Sequence, residues 1–385
     1  MRPLYLHVGL AKTGTTYLQT ILAEHRPALR EAGFIYPFVR AEGMFHAAAE
    51  VRQDHERWGL DRTLIDGTWA ALLAKARAFD GTAVISHELL AGATPEQIRA
   101  AADRLRDTDL HLVLTARDPA RQVPAHWQEA VKNGATFTFA DFTAEVLGEP
   151  DAPDSRFWLE QDLLGVADRW AALVPAENVH VVVCPAAGAD PLELWRRFAG
   201  AVGIPASVAV TPTVRRANTS LGAAEVHLLR AVNARLGDRL DPLARAHVVK
   251  RLFAQRLLNE VGSPPARAPE FLRPPLDALA DRWIAGIGDR GFTIHGDPED
   301  LRPQDFGDVH PDELVRHAAA GLPEAMAALL VEIAALRTAP EPDADRRGGG
   351  PEPRPGPRPE QRPGRQARRS RIHRLRNRIR RRSTG

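Results

Sequence analysis

Short, continuous apolar runs alternate with longer stretches of helical periodicity over most of the chain. Residues 4–8 read as a first strand ending at a Gly-bounded loop. From about residue 15 to 29, Tyr17, Leu18, Ile21 and Leu22 recur on one face of a helix. Residues 83–86 form a second apolar run. Thr94, Pro95 and Gln97 then mark a helix start, as N-cap, first-turn proline and capping-box partner. Residues 110–115 are the strongest strand, closed by Arg117-Asp118-Pro119, with Pro119 suited to the first turn of the next helix. Residues 179–184 repeat the pattern. Strands that are apolar throughout, separated by helices, imply a parallel sheet buried on both faces. From about residue 191 to 337 the pattern is mainly helical, with loops expected at 263–275 and 296–311 and no second sheet. The expected fold is α/β: one domain with a helical C-terminal portion.

Composition alters this picture little, but charge alters it. Of 385 residues, 44% are hydrophobic and 26% charged, the balance of a globular protein. Cys184 is alone, which excludes an intramolecular disulfide framework and any multi-cysteine metal site. No apolar run approaches the roughly 18 residues that span a bilayer. The N-terminus enters a strand without a basic and apolar leader, so a cytoplasmic protein is expected. The net charge of +2 averages two unlike pieces. Residues 339–385 hold 15 Arg against 5 acidic residues, leaving 36 basic and 44 acidic residues for 1–338. The tail opens Pro/Gly-rich, a composition that cannot bury a core and is expected to be disordered. It closes with RRSRIHRLRNRIRRR, where Ile372, Leu375 and Ile379 would form a narrow apolar stripe on a short basic helix over 368–382. Such a tail either meets an anionic surface (nucleic acid, acidic lipid or acidic protein) or is simply solvated. The chain thus divides into a domain at 1–338 and a tail at 339–385.

The sharpest chemistry lies in the first loop, His7-Val8-Gly9-Leu10-Ala11-Lys12-Thr13-Gly14-Thr15-Thr16, between a strand and a helix. A loop so placed points backbone N–H groups and a helix N-terminus at an anion, and phosphate is the usual occupant. Gly9 and Gly14 have the spacing of a nucleoside-triphosphate P-loop, yet Thr15 stands where that motif has lysine, and the lysine is instead at position 12. The sheet is therefore P-loop-like. The glycine pattern of a dinucleotide fold is missing.

Lys12-Thr13-Gly14-Thr15-Thr16 resembles the 5′-phosphosulfate loop of sulfotransferases that use 3′-phosphoadenosine 5′-phosphosulfate (PAPS). Residues 113–119, followed by Gln122, His126 and Trp127, resemble the 3′-phosphate segment of that family, a strand ending in Arg-x-Pro and running into a helix. Phe157-Trp158-Leu159-Glu160-Gln161-Asp162 is similar to a subgroup of bacterial members, and the resemblance covers roughly residues 1–230. It implies that Lys12 neutralises charge on the oxygen bridging sulfate and 5′-phosphate. It further implies that Thr13, Gly14, Thr15 and Thr16 hold the 5′-phosphate and that Arg117 pairs with the 3′-phosphate. The family usually has Ser eight residues after that Arg; this chain has Ala125, so His126, Gln122 or another residue must compensate.

A sulfuryl acceptor needs a base. Ser86-His87-Glu88 ends the second apolar run, and ligands collect at the C-terminal ends of parallel strands. Glu88 is the first choice and His87 the second, each alternatively a cap of the following turn. His46 would line the acceptor pocket or act as base, or be a packed or surface histidine. In Arg215-Arg216-Ala217-Asn218-Thr219-Ser220 the resemblance points to Arg216 and Asn218 as nucleotide contacts, while Asn218, Thr219 or Ser220 would equally cap a helix. Trp127, Trp158, Trp170 and Trp195 are read as core. No histidine spacing suggests a metal, and sulfuryl transfer needs none. A divergent nucleotide kinase and a catalytically silent scaffold acting through its tail are the competing readings.

Overall fold

The structure is a computed structural model that describes residues 2–148, 156–209, 221–260 and 263–307, together with residue 329. The tail at 339–385, its expected helix at 368–382, and Arg216 and Asn218 lie outside the described residues.

Six parallel strands form the main sheet. In chain order they are β1 (Arg2–His7), β2 (Phe34–Ile35), β3 (Thr82–Ser86), β4 (Thr108–Ala116), β5 (Val179–Val183) and, after a short β6 (Ala268–Pro269), β7 (Thr293–His295). Their spatial order is β2-β3-β1-β4-β5-β7. His7 and Ser86, the last residues of β1 and β3, are in register, while β4 meets His7 at Val113 and runs on to Ala116 at the same edge.

Helices cover both faces, which is why the central strands are mainly apolar. On one face lie α1 (Thr15–Glu24), α2 (Arg26–Glu31) and a helix at Glu193–Val202. Leu18, Ile21, Leu22, Leu29, Trp195 and Phe198 from these pack on Val84, Val113 and Val182. On the other face lie α3 (Gly43–Arg52), α4 (Arg62–Ile65), α5 (Thr68–Ala78), α6 (Pro95–Ala102), α7 (Pro119–Lys132), α8 (Phe139–Gly148), α9 (Arg156–Gln161) and α10 (Leu163–Ala171). Leu4, Leu6, Ile85, Leu112, Leu114 and Val181 meet Leu72, Trp127, Val131, Trp158 and Trp170 there. The four tryptophans named above are all buried core residues, as expected.

The expected helix start at Thr94 is a complete capping box, and Pro119 occupies the first turn of α7 behind its N-cap Asp118. Three expectations need correction. The helix expected over 15–29 is two helices, because His25 closes α1 and Pro27 sits in the first turn of α2. The C-terminal portion is not purely helix and loop: β7 extends the main sheet beside β5, and β6 pairs in parallel with β8 (Phe306–Gly307). These strands have two or three residues, too short for a run of apolar residues to announce them. Finally, a helix at Arg273–Asp289 begins inside the loop expected at 263–275, with Pro274 and Pro275 in its opening turn, where a missing N–H costs nothing.

Candidate active site

The loop after β1 is curled by three residues in the left-handed region: Gly9 (φ 71°), Lys12 (φ 69°) and Gly14 (φ 83°). For Lys12 that backbone conformation costs about 1 kcal/mol or more, so its surroundings must enforce it. They do so from below and from the side. Leu10 N–H donates to Thr115 O at 3.1 Å, tying the loop to the end of β4. Cys184 Sγ donates to Thr13 O at 3.1 Å, and burial pushes that thiol up to about 12, so it is unreactive. Gln122 Nε2 donates to Ala11 O, and Arg117 Nη1 donates to Lys12 O at 3.2 Å. At the end of the loop Gly14 opens α1 with no side-chain cap, so the first-turn amides and the positive end of the helix dipole are left to a ligand.

Beneath the loop the ends of three strands share one buried polar network. His7 Nδ1 bonds Ser86 Oγ at 2.8 Å and His7 Nε2 bonds Thr115 Oγ1 at 3.2 Å. Thr115 Oγ1 bonds the Thr13 hydroxyl, which also donates to Leu10 O. Burial pushes His7 down to about 4, so the imidazole is neutral, with one donor and one acceptor nitrogen. The Thr13 hydroxyl is thus turned inward as a brace of the loop. Thr15 is buried and Thr16 exposed.

Glu88 stands against the other end of the loop. A methyl group on Gly9 would lie 3.1 Å from Glu88 Cβ and 3.0 Å from Thr15 Cγ2, so only glycine permits this approach. Gln19 Nε2 donates to Glu88 Oε2 at 2.9 Å. Burial raises the Glu88 carboxyl, but His87, its own backbone amide, Gln19 and His7 outweigh burial, and the carboxyl falls below its usual range. It is a carboxylate at neutral pH. His87 instead accepts the Leu89 N–H through Nδ1 and caps the short turn at Glu88–Gly92; burial lowers its pKa. His46 lies in α3 with a buried Nδ1 that has no hydrogen-bond partner among the described residues; its ring meets Phe45, and Phe45 also meets His87. Burial, then Arg40, lowers its pKa.

Arg117 follows β4. Burial, then Arg121, pulls its pKa below the usual arginine value, with Cys184, Asp118 and Asp305 acting in the opposite direction. Asp118 itself accepts the Arg121 N–H as N-cap of α7 and pairs with the Arg121 guanidinium. The residues weighed as substitutes at Ala125 divide. Gln122 donates to Ala11 O and Gln161 Oε1 and braces the loop. His126 packs on Phe142 and Phe157 with a buried Nδ1 that has no hydrogen-bond partner among the described residues, and burial lowers its pKa.

The fold therefore gathers Lys12, Thr13, Gly14, Thr15, Thr16, Glu88 and Arg117 at one sheet edge, with His87 turned to a cap and His46 one helix away. Sequence reasoning missed Gln19 and Glu129, whose carboxylate lies 2.8 Å from Lys12 Nζ. A signal existed for Glu129: Gln122 and Glu129 are seven residues apart on α7, the same helical face, and both meet the loop. Among the described residues no group of three His, Cys, Asp or Glu side chains could hold a metal ion, and no helix is long and apolar enough to cross a membrane.

No protein-family model and no curated protein matches the chain. Among solved structures the chain is similar to the crystal structure of a sulfotransferase from Alicyclobacillus acidocaldarius. The identity is 15%, the match covers 65% of this chain and 96% of that one, and the TM-score is 0.39. The chemistry of this site rests on its own residues.

Proposed function

We propose that the chain is a sulfotransferase that moves a sulfuryl group from PAPS to a hydroxyl or amine acceptor by in-line displacement. The observation that carries this reading is the position of Lys12 inside the loop. Gly9 and Glu88 adjoin on one side of it, and Arg117 binds the Lys12 carbonyl on the other.

The residues fit the donor on two counts. Among the described residues the N-terminus of α1 carries no side-chain cap, and the half-buried Arg117 with Arg121 beside it favours an anion. When bound, PAPS supplies an activated sulfuryl group. Gly14, Thr15 and Thr16 would hold its 5′-phosphate through first-turn amides, and Thr16 adds an exposed hydroxyl. Arg117 suits the 3′-phosphate, where its planar fork makes paired hydrogen bonds. Lys12 neutralises negative charge that grows on the departing phosphate oxygen. Glu88, ionised at neutral pH, takes the acceptor proton. Gln19 holds that carboxylate in one orientation. Arg216 and Asn218 remain proposed nucleotide contacts, and His46 a proposed residue of the acceptor pocket.

The kinase alternative needs an acidic residue to hold Mg²⁺ near the loop. Asp118, the acidic residue that follows Arg117 after β4, caps α7 and pairs with Arg121 instead. Transfer is tested with radiolabelled PAPS and a panel of phenols, saccharides and amines. Label should move to an acceptor without added Mg²⁺. Mg²⁺-dependent transfer from ATP, with none from PAPS, would contradict the proposal.

A further inference from the structure

Lys12 shares its carboxylate partner. Its Nζ lies 2.8 Å from Glu129 Oε2, while Lys250 Nζ lies 2.7 Å from Glu129 Oε1, so each oxygen holds one ammonium. Lys250 comes from the π-helical segment Arg245–Leu257 and also donates to Asn133 Oδ1 at 2.8 Å. Lys132, one turn beyond Glu129 on α7, is buried and pairs with no carboxylate among the described residues. Burial, and after it the charge on Lys12, pushes its ammonium down to about 8. Two lysines thus hold one carboxylate, with Lys132 in electrostatic reach of all three groups, on the flank of a loop held in a left-handed conformation at Lys12.

We propose that Glu129 is an internal stand-in for a ligand with two linked tetrahedral anionic groups, a phosphosulfate or a phosphate anhydride. Such a ligand displaces the carboxylate and takes Lys12 on one group and Lys250 on the other. Lys250 is then a ligand-binding residue supplied from the far C-terminal side of the domain. This inference rests on the loop being an anion site and goes beyond that reading by naming the second cation and the competing group.

Charge supports the exchange. One carboxylate leaves the three lysines with excess positive charge in a half-buried place, and a ligand of higher charge relieves it better. The exchange has a cost, since, against burial, Lys12 and Lys250 hold the Glu129 carboxyl well below its usual range, so the incoming ligand must bring more charge than the carboxylate it replaces. Geometry supports it too: Glu129 joins groups from the loop and from the π-helical segment, so the two cations already face one point.

The test is calorimetric titration of the full chain with inorganic pyrophosphate. Glu129→Gln removes the competitor while keeping shape, and should tighten pyrophosphate binding by about fivefold or more. Lys250→Gln, at a partly exposed position, should weaken it by about tenfold, the loss of one charge-assisted contact. Orthophosphate, with a single group, should respond less to Lys250→Gln than pyrophosphate does. Adenosine 5′-phosphosulfate and ADP, titrated alongside, identify which anhydride the two lysines favour. Equal pyrophosphate affinity in wild type and Glu129→Gln, or in wild type and Lys250→Gln, overturns the proposal, as does no binding to any of the three. Circular dichroism verifies that each variant is folded, and the two variants move affinity in opposite directions, which general loss of structure does not do. Adenosine 3′,5′-bisphosphate separates this inference from the proposed function. If wild type ignores the bisphosphate but pyrophosphate behaves as stated, the PAPS reading falls and the exchange at Glu129 stands.

Discussion

At Gly9 a hydrogen atom in place of a side chain decides how close the loop comes to Glu88. With φ at 71° and contacts of 3.0–3.2 Å waiting for a methyl group, Gly9→Ala meets both backbone strain and crowding against Thr15 Cγ2 and the Cβ and Cα of Glu88. It should cost about 1–3 kcal/mol in chemical denaturation and weaken donor binding, because the loop must lift off Glu88. At Glu88 the prediction concerns rate. Glu88→Gln keeps the shape and the Gln19 contact but removes the base. Transfer should fall by about 100-fold or more, while affinity for adenosine 3′,5′-bisphosphate stays within a few-fold. An unchanged rate would move the base to His46, the other candidate not engaged in a cap. The choice between Glu88 and His87 was open in the sequence because adjacent residues on an extended strand face opposite ways. The fold resolves their placement through a local rule: His87 caps the turn at Glu88–Gly92, leaving Glu88 toward the loop.

Among the elements, α7 does the most for the site. Asp118 caps it, Gln122 and Glu129 meet the loop from one face, and Trp127 anchors the opposite face in the core. Asp118→Ala removes the cap and the Arg121 partner together, and should lower stability by about 1–2 kcal/mol by equilibrium unfolding. A wild-type midpoint in that variant would show that Arg121 alone holds the helix start. The strands β1, β3, β4 and β5 were legible in the sequence, because burial on both faces makes each a mainly apolar run. So was the loop, whose glycines and lysine are local. The strand β7 was not, because three residues next to β5 carry no pattern of their own. Neither was Lys250: nothing in Arg245–Leu257 announces that its helix lies over a loop near the other end of the domain.

Across the whole molecule, buried histidines set an acid limit. His7 is held at about 4, and His180, which lies 3.1 Å from His111 and 3.2 Å from His295 nitrogen atoms, is also pushed down to about 4, by burial first and then by His295 and His111. Between about pH 4 and the ordinary histidine value near 6.5, the unfolded chain binds protons that the native chain does not, so stability rises with pH over that window. His7 accounts for on the order of 3 kcal/mol of that rise. Unfolding free energy measured from pH 4 to 7 should therefore climb, and His7→Gln should flatten part of the climb; an equal slope in the variant would place the titration elsewhere. Charge on the same scale is uneven. The body at 1–338 is acidic, yet Lys12, Arg117, Arg121, Lys132 and Lys250 concentrate positive charge around one loop. That local excess in an acidic body suits the proposed site for a multiply anionic nucleotide. Calorimetry of the full chain with adenosine 3′,5′-bisphosphate tests it most directly. Saturable one-to-one binding is expected in wild type, and its loss when Lys12→Ala and Arg117→Ala are combined. No binding in wild type, or equal binding in the double variant, would contradict it.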